Sequence, residues 1–284
     1  MSDPLPPLVS TAWLAEHAGT PELVVLDASW HLPAAERDPA AEYLAGHIPG
    51  ARFLDLASLV DKTSPVPAAL PSPNQLAERL AELGVDIGDK IVLYDDSAVK
   101  TSARAWFMLR AHGVEKVAIL DGGLAKWRSE DRPLETGEPQ MQRSAARELS
   151  SPKRVASKTD MLDNLATSAR QVVDARGAER VFGNGTDPVH GGANGRIPGS
   201  LNVPFGQVFN EDGTYKSPDD LRAQFEAAGV NLARPVITTC GSGVTASVLL
   251  FALQLGGHED TALYDGSWLE WSSDPETPKA AGPE

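Results

Sequence analysis

The stretch Pro235-Val236-Ile237-Thr238-Thr239-Cys240-Gly241-Ser242-Gly243-Val244-Thr245 reads as a buried strand, Pro235 to Thr239, running into a glycine-punctuated loop. The apolar run from Ala246 to Leu255 follows as a helix, and Gly256-Gly257 stops it. A strand feeding a helix through a short loop is the building step of a parallel sheet. The flanking sequence repeats that step. Gln171 to Val173 and Leu201 to Phe205 are β-branched or apolar runs, and Leu221 to Ala228 is a helix capped by Ser217-Pro218-Asp219. The expected fold class is therefore α/β, a parallel sheet with helices on both faces.

The chain also resembles itself. Val25-Leu26-Asp27-Ala28 returns as Val172-Val173-Asp174-Ala175, and Gly46-His47-Ile48-Pro49-Gly50 as Gly195-Arg196-Ile197-Pro198-Gly199. Asp121-Gly122-Gly123 with Trp127 returns as Asp265-Gly266-Ser267 with Trp271. The offsets are 147, 149 and 144 residues, in the same order along the chain. A period this long is a duplicated domain, because solenoid repeats are much shorter. The first copy shows the same alternation, with Ile91 to Tyr94 as strand and Ser102 to Ala111 as helix. The expected boundaries are a first domain over 1–135, a polar linker over 136–152, a second domain over 153–276 and a frayed tail over 277–284.

Composition narrows the function classes. With 284 residues, 42% hydrophobic and 23% charged, the chain has the make-up of a soluble globular protein. A formal net charge of -14 argues against nucleic acid or an anionic membrane as partner. Met1 to Ser10 lacks the charged and apolar regions of a secretory signal, and no apolar run approaches the ~20 residues of a membrane span. One cysteine permits no internal disulfide. A reducing, cytoplasmic setting is expected, with no cofactor and no metal.

That cysteine is the candidate nucleophile. A lone cysteine is more often a small buried hydrophobe. Cys240, however, stands at the carboxyl end of a strand, where open α/β sheets bind ligands. Gly241 and Gly243 let successive backbone N–H groups turn inward as an anion-binding nest, and the helix N-terminus adds to the same field. Such surroundings favour a thiolate.

Cys240-Gly241-Ser242-Gly243-Val244-Thr245 resembles the active-site loop of the 3-mercaptopyruvate sulfurtransferases, a branch of the two-domain rhodanese family. Asp27-Ala28-Ser29-Trp30, Asp121-Gly122-Gly123, Val173-Asp174-Ala175-Arg176 and Tyr264-Asp265-Gly266-Ser267-Trp268 agree with it, so the likeness covers nearly the whole chain. The resemblance implies two tandem rhodanese-like domains with catalysis in the second. It makes Cys240 the carrier of a persulfide, with Ser242 assisting proton movement or donor orientation. It makes Arg180 the holder of the donor's anionic group and the loop residues Gly241, Gly243, Val244 and Thr245 the surroundings of the transferred sulfur. Ser242 can equally brace the loop, and Thr245 suits a helix cap better than a catalyst. Arg176 reads as structural beside Asp174, and the Gly-(His/Arg)-Ile-Pro-Gly segments as turns. In the first domain Asp95 stands where Cys240 stands in the second, and a carboxylate holds no transferable sulfur.

Two rival chemistries fail on single residues. Phosphoryl transfer on a Cys-x5-Arg loop needs an arginine where this chain has Ala246, and dithiol redox needs a second thiol. Sulfur transfer needs one thiol and proceeds by covalent, ping-pong catalysis. The expected donor is a small anion, 3-mercaptopyruvate or thiosulfate. The expected acceptor is cyanide or a thiol, either small or on a thioredoxin-like protein. The alternative is a persulfide carrier or regulatory module loaded by a partner protein.

The chain departs from both branches in its donor-binding charges. The mercaptopyruvate branch has an aspartate and a histidine where this chain has Ala57 and Ala68, with Asp55 or Asp61 as nearby substitutes. It also has a second arginine where this chain has Val189, beside His190. The thiosulfate branch has two cations in the loop, at Gly241 and Ser242 here. Weak binding of both donors is expected, with 3-mercaptopyruvate modestly preferred.

Overall fold

The computed structural model describes residues 4–183 and 185–282. It divides into two compact units. The first holds 4–60, 70–153 and 210–215, and the second holds 61–69, 154–209 and 216–282, Asn184 excepted.

In the first unit the elements run β1 (Leu8–Val9), α1 (Thr11–His17), β2 (Leu23–Asp27), α2 (Pro39–Ala45), β3 (Arg52–Phe53), α3 (Pro73–Glu82), β4 (Lys90–Tyr94), α4 (Ser102–Ala111), β5 (Val117–Leu120) and α5 (Gly123–Ser129). In the second they run β6 (Val155–Ala156), α6 (Lys158–Thr167), β7 (Gln171–Asp174), α7 (Ala178–Val181), β8 (Leu201–Asn202), α8 (Pro218–Ala227), β9 (Val236–Thr239), α9 (Val244–Leu255), β10 (Thr261–Tyr264) and α10 (Ser267–Ser273). The sheets are β1-β5-β4-β2-β3 and β6-β10-β9-β7-β8, all parallel and identical in order once the second set is renumbered. The duplication seen in the sequence is a duplication of topology.

Alternation along the strands builds both layers of the second unit. Val172 and Ile237 face one way, into a core with Met161 of α6 and Trp268 and Trp271 of α10. On the other side α9 packs on β9 and β10, with α8 against α9. Such two-sided burial is why α9 is apolar almost all round, from Ala246 to Leu253.

Three segments depart from the sequence expectation. The strand expected over Leu201–Phe205 ends at Asn202, because Pro204 has no N–H to donate and a 3-10 turn begins at Phe205. The polar stretch 136–152 lies along the first unit, with the N–H groups of Gly137, Ser144 and Ser150 donating to Leu44, Ala81 and His112 carbonyls. The tail does not fray over 277–282. Thr277 is buried, and Ala280 pairs with Arg196 through two backbone bonds of 2.9 and 3.0 Å. Pro283 and Glu284 lie outside the described residues. No described helix is long and apolar enough to cross a membrane.

Candidate active site

Strand β9 ends at Thr239 and α9 begins at Val244, so Cys240, Gly241, Ser242 and Gly243 form the entire loop between them. Cys240 is a free cysteine, 2% exposed. Its N–H donates to Ser267 Oγ at 3.2 Å, and its carbonyl accepts from Trp268 N–H at 2.9 Å. The Gly241 carbonyl accepts from Leu269 N–H at 2.9 Å. Both flanks of the nucleophile are thus tied to the start of α10, which fixes the loop as a rigid cradle.

Gly243 has φ +81°, in the left-handed region, and it is the N-cap of α9. Thr245 is therefore already inside the first turn and does not cap the helix, contrary to the sequence reading. The loop conformation moves the cap two residues earlier, and Ser247 Oγ closes on the Gly243 carbonyl at 2.9 Å. Ser242 is half-buried, and its hydroxyl braces no loop backbone among the described residues. The backbone N–H groups of Gly241, Ser242, Val244 and Thr245 likewise meet no protein acceptor there. Four donors at the positive end of a twelve-residue helix make a ready anion cradle.

The first unit provides an internal control. Its equivalent loop follows β4, and the Asp95 carbonyl accepts from Leu124 N–H at 3.1 Å, as Cys240 does from Trp268. Here the Asp95 carboxylate fills the cradle: Oδ1 accepts from Ser97 N–H and Oδ2 from Ser102 N–H, each at 2.8 Å. This loop carries its own anion, whereas the loop of Cys240 has none.

Arg180, at the end of α7, is placed by Asp187. Its Nε donates to both carboxylate oxygens at 3.1 Å and its Nη2 to Oδ2 at 2.7 Å. The arginine fork is thus closed on Asp187, and Nη1 makes no bond to this carboxylate. Burial alone would raise the Asp187 carboxyl. The Arg180 bonds and the N–H groups of Val189 and His190 outweigh burial and hold it below the usual carboxylate range. Arg176 is structural, as read: buried, bonded to Asp174, and stacked 4.8 Å from the Trp268 ring.

His190 links this network to the loop. Its Nδ1 lies 3.5 Å from Arg180 Nη2, and its ring packs on Gly241. Burial first, then the charge of Arg180, push its imidazole below the ordinary histidine value. In the sequence His190 stands out only as the neighbour of Val189, and Asp187 only by its place in a Gly- and Pro-rich loop. Val189 is 43% exposed. Asp55 and Asp61, the candidate replacements for the missing aspartate, each cap their own turn, through Ala57 N–H at 3.0 Å and Thr63 N–H at 2.9 Å. Among the described residues no group of three or more His, Cys, Asp or Glu side chains is placed to hold a metal ion.

Comparison with known proteins agrees with this architecture. A rhodanese-like domain matches twice, over residues 10–130 and 157–274. The chain is 42% identical to the 3-mercaptopyruvate sulfurtransferase of Escherichia coli K12, over 95% of this chain and 96% of that one. It is 40% identical to the thiosulfate sulfurtransferase of Bos taurus, over 93% and 91%. The crystal structure of the Escherichia coli 3-mercaptopyruvate sulfotransferase SseA superposes with a TM-score of 0.84 at 41% identity, covering 92% of this chain and 98% of that one. With both halves matched and the relatives aligned almost end to end, the chain belongs to the rhodanese family of sulfurtransferases.

Proposed function

We propose that this protein transfers sulfur through a persulfide on Cys240, with 3-mercaptopyruvate as the preferred donor over thiosulfate. The observation that carries the reading is the contrast between the two loops. One fold, used twice, satisfies loop N–H groups with a built-in carboxylate at Asp95. In the second copy it places a free thiol at Cys240 in a loop where the N–H groups of Gly241 and Ser242 meet no protein acceptor among the described residues.

In the first half-reaction the Cys240 thiolate attacks the donor's sulfur. An S–S bond forms, the donor's C–S bond breaks, and its electron pair leaves with carbon as an enolate, which takes a proton to become pyruvate. The terminal sulfur anion rests against the loop N–H groups, which act as an oxyanion hole does. In the second half-reaction a thiol or cyanide attacks the outer sulfur and returns Cys240 as thiolate. Ser242 is within the loop to pass the proton, and Arg180 Nη1 holds the donor's carboxylate. A small thiol or a thioredoxin-like protein suits the acceptor role. The single free thiol fits a reducing, cytoplasmic compartment.

Intact-mass measurement after incubation with donor tests the reading. The wild type should gain one sulfur, Cys240→Ser none, and steady turnover with small donor and thiol should distinguish an enzyme from a carrier loaded by another protein. Turnover surviving in Cys240→Ser would refute it.

A further inference from the structure

His190 has no role in the chemistry above, yet it lies directly on the loop that performs it. A methyl group added at Gly241 would meet His190 Cε1 at 2.6 Å and Nε2 at 2.7 Å, closer than real contacts allow. The imidazole edge therefore fills the space that a side chain at position 241 would need. Arg180 Nη2 stands 3.5 Å from Nδ1 of the ring, and the His190 backbone N–H faces Asp187 Oδ1 at 3.3 Å.

This geometry sets the tautomer. A guanidinium can only donate, so Nδ1 facing Arg180 is the acceptor and the proton sits on Nε2. Arg180 and Arg176 both disfavour a second proton and Asp187 favours one; with burial the balance keeps the ring neutral. The loop thus has, over Gly241, one neutral N–H donor at its surface. We propose, on the reading that Cys240 carries the sulfur, that His190 is a specificity-determining residue. Its Nε2–H would hydrogen-bond an oxygen of an α-keto carboxylate donor, from the space that a side chain at position 241 would need. A single neutral donor suits a keto or carboxylate oxygen. It offers a dianion such as thiosulfate no compensating charge, so the two donors should respond differently to its loss.

The test is steady-state kinetics of His190→Ala, His190→Gln, Gly241→Ala and the Ala/Ala double variant with each donor, alongside intact-mass detection of the persulfide. His190→Ala should raise KM for 3-mercaptopyruvate by roughly ten-fold, the scale of one hydrogen bond to a charged group. Its kcat should move little, and thiosulfate kinetics should change far less. His190→Gln, which keeps an N–H donor, should recover much of the loss. Gly241→Ala should mimic His190→Ala by displacing the ring, and the double variant should be no worse than either single. An unchanged KM for 3-mercaptopyruvate in His190→Ala, or equal losses for both donors, would overturn the proposal while a persulfide on wild-type Cys240 still upheld the reading beneath it. Absence of that persulfide in the wild type would overturn both.

Discussion

Removing the Arg180 side chain probes stability and donor binding together, and the structure separates the two. In Arg180→Ala, the Asp187 carboxylate loses its closest partner, at 2.7 Å, while its side chain stays fully buried. Stripping one member from a buried ion pair typically costs about 3–5 kcal/mol because the other charge is left alone. Here it is not left wholly alone. The N–H groups of Val189 and His190 remain at 2.9 and 3.3 Å, and Arg176 Nη1 stands 3.7 Å away. The expected loss is therefore about 2–3 kcal/mol, a fall of roughly 4–12 °C in the unfolding midpoint. Separately, the donor loses the Nη1 contact, worth about 1.5 kcal/mol or roughly ten-fold in kcat/KM. Arg180→Lys sorts the two effects. A point charge restores attraction for the donor but cannot span both Asp187 oxygens, so it should recover kinetics more than stability. Thermal unfolding and donor kinetics on the three proteins suffice. A variant that keeps both its midpoint and its kcat/KM would show that Arg180 neither anchors Asp187 nor touches donor.

Val189→Arg restores a cation on an exposed position next to His190 and should lower KM for 3-mercaptopyruvate several-fold; a wild-type KM already low micromolar would remove its premise. Asp95→Ala should cost about 1–3 kcal/mol of stability by leaving the buried donors at Ser97 and Ser102 unpaired, with sulfur transfer unaltered, as unfolding and turnover assays would register. The pH dependence follows from two lowered groups. Asp187 has a folded value below 3.8, so its contribution is complete above 3.8 and disappears as pH falls through the folded value. His190 has a folded value below 6.5, so the unfolded chain takes up the proton first and stability falls as pH drops below 6.5. Unfolding midpoints at pH 7 and pH 5 should therefore differ less in His190→Gln than in the wild type.

What could be read from the sequence, and what could not, divides along the range of the interactions. The strand Val236–Thr239, its glycine loop and the following helix are local, and the duplication repeated them with Asp27 matched to Asp174 and Asp121 to Asp265. Parallel strands buried on both faces give continuous apolar runs that survive without any structure to guide them. The closure of Arg180 on Asp187 and the seating of His190 on Gly241 depend instead on how the loop over 185–195 folds back. No periodicity encodes that. The order of the C-terminal tail is hidden for the same reason, since the pairing of Ala280 with Arg196 spans more than eighty residues and a polar Pro- and Lys-containing tail shows no sign of it. The cap of α9 differs from the expected Thr245 by only two positions, and the difference is physical. The left-handed Gly243 starts the helix early, and a hydroxyl two residues past the cap cannot reach the N–H groups it would have capped.

The two loops differ in what they offer an anion, beyond the bare exchange of Asp95 for Cys240. A loop that turns several N–H groups inward beside a helix N-terminus must find them an acceptor or leave them to solvent. The first unit meets this need internally, with both oxygens of Asp95 engaged and the loop lengthened to seven residues between β4 and α4. The second unit shortens the loop to four residues and removes the carboxylate, so the same donors stay available to an anion that arrives and departs. On the proposed reading, a persulfide on Cys240 would be such an anion, formed in place. Substituting cysteine at position 95 would therefore not transplant the activity, because the longer loop would still be shaped around a fixed side-chain carboxylate.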